Sequence, residues 1–245
     1  MSFNYRSTLY ARYHSTQSGR AALVDSAALH DREKDRFRRE FGPLVASLSR
    51  EASVFDLGCG SGSLIAVLKE MGFHRCLGMD LSPEQVQQAK QWGINEVEEG
   101  DALAHIRQQS QQYDAVLAAD IIEHFSKDEL VELLSAIKSS LKPGGRLLLR
   151  TPNLDAPMAS VFAQGDFTHE NYLNASSLEQ VLKAVGFTHV SLQPSDMKVA
   201  GLAKELLRRL SFALLTVRLK WTLFATGRST RGVLLSPNMI AIAYA

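Results

Sequence analysis

The chain has 245 residues, 45% of them hydrophobic and 22% charged, with a formal net charge of +1. That supplies a core for one generous domain, or one domain with an insertion, and too little charge for general affinity to nucleic acid. With only Cys59 and Cys76 a disulfide framework is excluded, no run is apolar enough to span a bilayer, and the opening MSFNYRSTLYARYH lacks a secretory apolar stretch, so a cytoplasmic protein is expected.

In chain order, residues 20–50 read as helices. ALHDREKDRFRREF carries a thin apolar stripe of Leu29, Phe37 and Phe41, and Gly42-Pro43 breaks it, with Pro43 opening a further helix through Leu48. From residue 53 strands and helices alternate. SVFDLG is a short buried strand and the next helix runs from about Ser63 to Met71. RCLGMDL is a second strand, followed by the helix SPEQVQQAKQW with Ser82 as N-cap. INEVEEGD and YDAVLAAD are the third and fourth strands. KDELVELLSAIKSSL is an amphipathic helix closed by Lys142-Pro143-Gly144-Gly145, RLLLRTP is the fifth strand, and SSLEQVLKAVGF is a helix ending at Gly186. THVSLQ and the final NMIAIAYA are strand-like. This alternation predicts an α/β fold: a doubly wound, mostly parallel seven-stranded sheet with N-terminal helices and a C-terminal helical insertion. The expected division is a helical segment 1–52, a core 53–194, an insertion 195–236 and a last core strand 237–245.

The insertion breaks the alternation. AKELLRRLSFALLTVRLKWTLF is apolar at helical spacing with basic residues on the remaining face. Residues 198–231 hold eight basic side chains against Glu205, a net +7. A membrane-surface contact through 198–231, which would place the protein peripherally on the inner membrane face, is one reading. A helical cap on the core or a homodimer contact is the other.

VFDLGCGSG places Gly58, Gly60 and Gly62 where a buried strand turns into a helix, which lets a ligand approach the main chain closely. The spacing fails the dinucleotide pattern, because Ser63 follows Gly62, and the leading acid Asp56 would repel a pyrophosphate. A nicotinamide dehydrogenase is therefore excluded. Asp80 ends the second strand 22 residues after Gly58, where a carboxylate accepts from both hydroxyls of a ribose. The ligand is a nucleoside without a diphosphate over the glycines.

Across residues 40–193 these motifs, with EGDAL and LKPGGRLLL, resemble the class I S-adenosylmethionine-dependent methyltransferases, a Rossmann-like family. The resemblance implies S-adenosylmethionine as cofactor, held by Asp56, Gly58, Cys59, Gly60, Gly62, Asp80, Leu81 and Asp120. It also implies adenine flanked by Asp101 and Ala102. A zwitterionic amino-acid tail suits Asp56 and the loop amides better than a diphosphate does.

Asp120-Ile-Ile-Glu-His-Phe125 follows the fourth strand at the carboxyl end of the sheet, where ligands bind in open α/β folds. Three readings stay open. Glu123 and His124 line the cofactor pocket and cap the next helix. Alternatively His124, with Glu123 and the downstream His169, forms the catalytic group that removes a proton from an acceptor hydroxyl. In the third reading Asp120, Glu123, His124 and His169 bind a divalent metal, a layout resembling small-RNA and ubiquinone-pathway O-methyltransferases. The mixed carboxylate–imidazole set suits manganese, iron, cobalt or zinc at least as well as magnesium. Tyr10, Tyr13 and His14 close over the cofactor or belong to a packed helix. His30, His74, His105 and His189 are assigned no role.

Oxygen acceptors need a base and amines do not, which favours O-methylation. The stretch from Arg150 to Phe187 resembles methyltransferases of surface-polysaccharide synthesis and implicates Asn153, Asp166, Thr168, His169 and Glu170 in binding a glycan or other small-molecule acceptor. A sugar hydroxyl is the first expectation and a ubiquinone- or menaquinone-type phenol the second. An RNA methyltransferase and a non-catalytic nucleoside-binding subunit are the remaining alternatives.

Overall fold

The structure is a computed structural model that describes residues 5–10 and 26–245. Helix α1 spans Tyr5–Tyr10, α2 Ser26–Glu40 and the short α3 Gly42–Val45. The alternating part comprises β1 Ser53–Leu57, α4 Ser63–Glu70, β2 Arg75–Asp80, α5 Pro83–Gln91, β3 Val97–Glu99, α6 Ala102–Arg107 and β4 Tyr113–Ala119. A 3-10 turn at Ile122–His124 leads to α7 Lys127–Ser140, β5 Leu141–Pro152, α8 Ser160–Ala163, α9 Ala175–Val185 and β6 Thr188–Pro194. Helix α10 Leu202–Ala225 and strand β7 Asn238–Tyr244 follow.

The described residues form a seven-stranded sheet in the order β3-β2-β1-β4-β5-β7-β6. Its first five strands in sequence pair in parallel, and β7 runs antiparallel between β5 and β6. Every residue of β1 is buried, as a strand covered on both faces requires. One core, around Phe55, Leu133, Leu149 and Leu182, fills the face under α7 and α9. The other, around Phe41, Ile65, Leu68 and Leu148, fills the face under α2 and α4.

Local chemistry sets the helix starts. Ser82 Oγ caps α5, Asp101 accepts from the amides of Leu103 and Ala104 at α6, and Ser126 with Glu129 forms a reciprocal capping box at α7. Two boundaries differ from expectation. Helix α3 stops at Val45, short of Leu48. Lys142–Gly145 lies within β5 as an irregularity, because Leu141 already pairs with Tyr113 while the ladder resumes at Ala115 and Arg146.

Candidate active site

A cavity of about 360 Å³ opens at the carboxyl ends of β1, β2 and β4. Between β1 and α4 the backbone turns through Gly58, Gly60 and Gly62, at φ +68°, +55° and +76°. A Cβ on Gly58 would stand 2.7 Å from Ile121 Cδ1, so both the conformation and the space demand glycine there. This turn carries the Gly60 amide to Asp80 Oδ2 at 2.8 Å, and the Ser82 amide donates to Oδ1 at 2.8 Å. An ionised carboxylate has about four acceptor sites. Asp80 thus keeps capacity for two ligand hydroxyls. Burial raises its pKa in spite of the two amides. Leu81 is exposed on the rim, while Asp101 and Ala102 form the far wall.

Asp56 is 1% exposed, and its Oδ2 has no hydrogen-bond partner among the described residues. Burial, then the neighbouring Asp80, pushes its pKa well above the usual range. Opposite it α2 supplies groups that the sequence pattern did not reveal. Ser63 Oγ donates to Glu33 at 3.1 Å, so the 2.9 Å contact from His30 Nδ1 to Ser63 Oγ is donated by the ring. His30 is buried against Trp92 at 4.0 Å between ring centroids, and burial lowers its pKa. Arg36 lies over the Phe37 ring, with Nε buried and unpartnered among the described residues. His30, Glu33 and Arg36 recur at threes along one helical face, and that recurrence was the available signal.

The structure divides the Asp120–Phe125 run among three surroundings. Asp120 sits at φ +55°, and its Oδ2 pairs with Arg150, whose other side meets Glu40 at 3.2 Å. Asp120 is thus turned toward Arg150, and the cluster of possible ligand atoms comprises Glu123, His124 and His169 without it. Asp120 Oδ1 is buried without a partner among the described residues, and the residue lines the cavity. Glu123 points the other way, behind β5, where Oε2 accepts from Thr151 Oγ1 at 3.1 Å. Burial, then Asp120, holds its pKa well above the carboxylate range. His124 faces the cavity. Its Nδ1 lies 2.9 Å from Thr168 Oγ1, and that hydroxyl donates to Asp166 at 2.7 Å. The Nδ1 proton is thereby assigned, and the neutral ring carries its lone pair on Nε2. Burial, then His169, lowers the His124 pKa to about 4.

His169 donates from Nδ1 to the Ala163 carbonyl at 2.6 Å and shares a small void with Glu123 rather than the cavity. Of the three expected catalytic groups, His124 alone lines the cavity among the described residues, with the His169 ring behind it at 4.8 Å between centroids. Possible ligand atoms of Glu123, His124 and His169 nonetheless lie within 4.8 Å of one another. Four residues expected at the acceptor do other work. The Asn153 amide donates to the Leu234 and Ser236 carbonyls, and Asp166 and Thr168 brace His124. Glu170 accepts from Arg6 at 2.9 Å and from Tyr5. Arg6 also grips Glu129 through both terminal nitrogens, which straps α1 over the turn and sets Tyr10 beside His124. Tyr13 and His14 lie outside the described residues.

The profile of a family described as Methyltransferase domain matches residues 28–192. A ribosomal protein L11 methyltransferase from Photobacterium profundum is 33% identical over 101 residues, 40% of this chain and 32% of that one. The human mitochondrial ubiquinone biosynthesis O-methyltransferase is 24% identical over 159 residues, 55% of this chain and 41% of its own. The chain thus spans a third to two fifths of the length of these curated relatives. The crystal structure of a SAM dependent methyltransferase from Archaeoglobus fulgidus shares the fold, with a TM-score of 0.67, 19% identity, and coverage of 90% of this chain and 100% of that one.

Proposed function

This chain belongs to the methyltransferase-domain family as a class I S-adenosylmethionine-dependent methyltransferase, and from that premise we propose that it methylates a hydroxyl group on a small amphiphilic acceptor. The cavity suits the cofactor on physical grounds. Asp56 Oδ2, buried and without a partner among the described residues, and the Arg36 guanidinium, which meets Glu33 at 3.9 Å with its Nε buried, both line it, and an α-amino acid brings an ammonium and a carboxylate. That pair is the observation that carries the reading. Asp80 would take the ribose hydroxyls, Asp101 and Ala102 would hold the base, and Gly58–Gly62 with Cys59 would hold the amino-acid half. The cofactor, when bound, supplies a methyl group on a cationic sulfur.

The protein's own part is alignment, exclusion of water and proton handling. Holding two reactants in register contributes about 7–11 kcal/mol in favourable cases. His124, neutral down to about pH 4, is a weaker base than free imidazole, so its Nε2 takes the hydroxyl proton late, as methyl transfer makes the oxygen acidic. Thr168 and Asp166 hold the ring in the required tautomer. Tyr10 and Phe125 stand in the cavity wall with His124 and suit a flat aromatic acceptor. A phenol of the ubiquinone type is therefore preferred to a sugar hydroxyl, since Asn153, Asp166, Thr168 and Glu170, on which the glycan expectation rested, serve as internal braces.

Calorimetry with S-adenosylhomocysteine should give binding that Asp80→Ala abolishes. Supplied with prenylated phenols, lipid-linked sugars and amines, the protein should add one methyl group to a hydroxyl. Turnover of amines alone would overturn the oxygen assignment. The 4.8 Å cluster favours a second reading, a divalent metal on Glu123, His124 and His169. Manganese or zinc binding lost in His169→Ala would support it, and no binding to the wild type rejects it.

A further inference from the structure

Helix α10 is 24 residues long, about 36 Å at 1.5 Å per residue. Other helices and strands make at most slight contact with it among the described residues. Leu202, Leu206, Leu210, Leu214, Val217 and Trp221 recur at spacings of three and four, which places them on one face, and Phe224 continues it. All seven are exposed, from 58% for Leu206 to 80% for Leu202. A step of about 100° per residue sets Arg209 and Lys220 along one border of this stripe and Arg218 along the other. Phe212, Leu215, Leu219 and Leu223 occupy the opposite, half-buried face. The structure thus corrects the expected pattern, since a broad apolar stripe edged by basic residues faces solvent.

We propose that this face lies in the interfacial layer of an anionic lipid membrane. A helix with an exposed apolar stripe, basic borders and an aromatic residue such as Trp221 has the composition of an in-plane membrane helix. No helix of the described residues is long and apolar enough to cross a bilayer, so the contact is with a surface. Charge decides between occupants. Residues 198–231 carry a net +7, and Lys204, Arg218 and Lys220 have no carboxylate partner among the described residues. Two copies paired through this face would set one basic border against another, and like charges disfavour that. Anionic headgroups instead attract each basic side chain at the surface.

The placement adds a consequence for the site. The insertion leaves β6 at Pro194, paired with Met239, and returns at Asn238, paired with Pro152. Both roots therefore stand at the carboxyl end of β5, the end of the sheet at which the cavity opens. Asp196 joins the first root to α2, a cavity wall, through Arg39 and through Glu40, which accepts from its amide at 3.0 Å. A membrane under α10 thus lies beside the active-site mouth, and the acceptor is an amphiphile drawn from the lipid. That last step rests on the proposed hydroxyl methylation, whereas the surface contact does not.

The full chain should sediment with phosphatidylcholine vesicles containing phosphatidylglycerol and stay in solution with pure phosphatidylcholine. Arg218→Glu with Lys220→Glu should weaken binding to the anionic vesicles by about tenfold or more. Leu210→Glu with Leu214→Glu should abolish it, while S-adenosylhomocysteine binding confirms that this variant is folded. Sedimentation with neither vesicle, or binding that the Leu210/Leu214 variant retains, overturns the proposal. So does a solution dimer that this variant dissociates. Vesicle binding without any affinity for S-adenosylhomocysteine would leave the surface contact standing and remove the methyltransferase site.

Discussion

A carboxylate sealed from water with one oxygen lacking a donor destabilises the chain that carries it, and among the described residues Asp56 is such a group. Its folded pKa is raised, so folding favours the protonated form. The associated stability is full below the unfolded value near 4 and is lost as pH rises toward the folded value. Asp56→Asn should therefore raise the unfolding free energy by about 1–3 kcal/mol at neutral pH and leave it unchanged in acid. The same variant should bind S-adenosylhomocysteine at least about tenfold more weakly, read by calorimetry. A variant that is no more stable at neutral pH would show that Asp56 has a donor. His124 works in the opposite sense. Its lowered pKa keeps it neutral, so the acid limb of kcat/KM should fall near pH 4 and not near 6.5. The places of Asp56, Gly58 and Asp80 at the ends of the first two strands were legible from alternation and spacing, and all three line the cavity. Arg36 and His30 were not, because their positions depend on how α2 packs against α4. The pairing of Asp120 with Arg150 was not legible, because its direction follows from a backbone angle of +55° that no spacing reveals.

At the scale of elements, the turn between β1 and α4 is under the strictest demand. Gly58→Ala must adopt φ +68° and meet Ile121 at 2.7 Å, whereas Gly93→Ala, at φ +77°, meets nothing within 4 Å. Denaturant melts should show Gly58→Ala costing about 1–3 kcal/mol, clearly more than Gly93→Ala. Equal losses would mean that the contact with Ile121 relaxes at no cost. The strands and most helices could be read from alternation, caps and period, since each is specified within about ten residues. The burial of α10 could not. Its apolar residues satisfy the same periodicity whether a core, a lipid or a partner covers them, and only the tertiary structure shows which face the body leaves open.

Across the whole molecule, both cores form without α10, in which Glu205 is the buried residue. Replacing Leu202–Ala225 by a short glycine–serine linker should leave the melting temperature and S-adenosylhomocysteine affinity unchanged while removing vesicle binding. A loss of more than about 1 kcal/mol of stability would show that the half-buried side of the helix supports the body. The position of β7 has another outcome. It is later in sequence than β6 yet lies between β5 and β6, so a chain emerging from the ribosome exposes two unpaired strand edges until the last strand arrives. Closure of the sheet therefore waits on Asn238–Tyr244, and slow synthesis of that strand would prolong the exposure of the β5 and β6 edges.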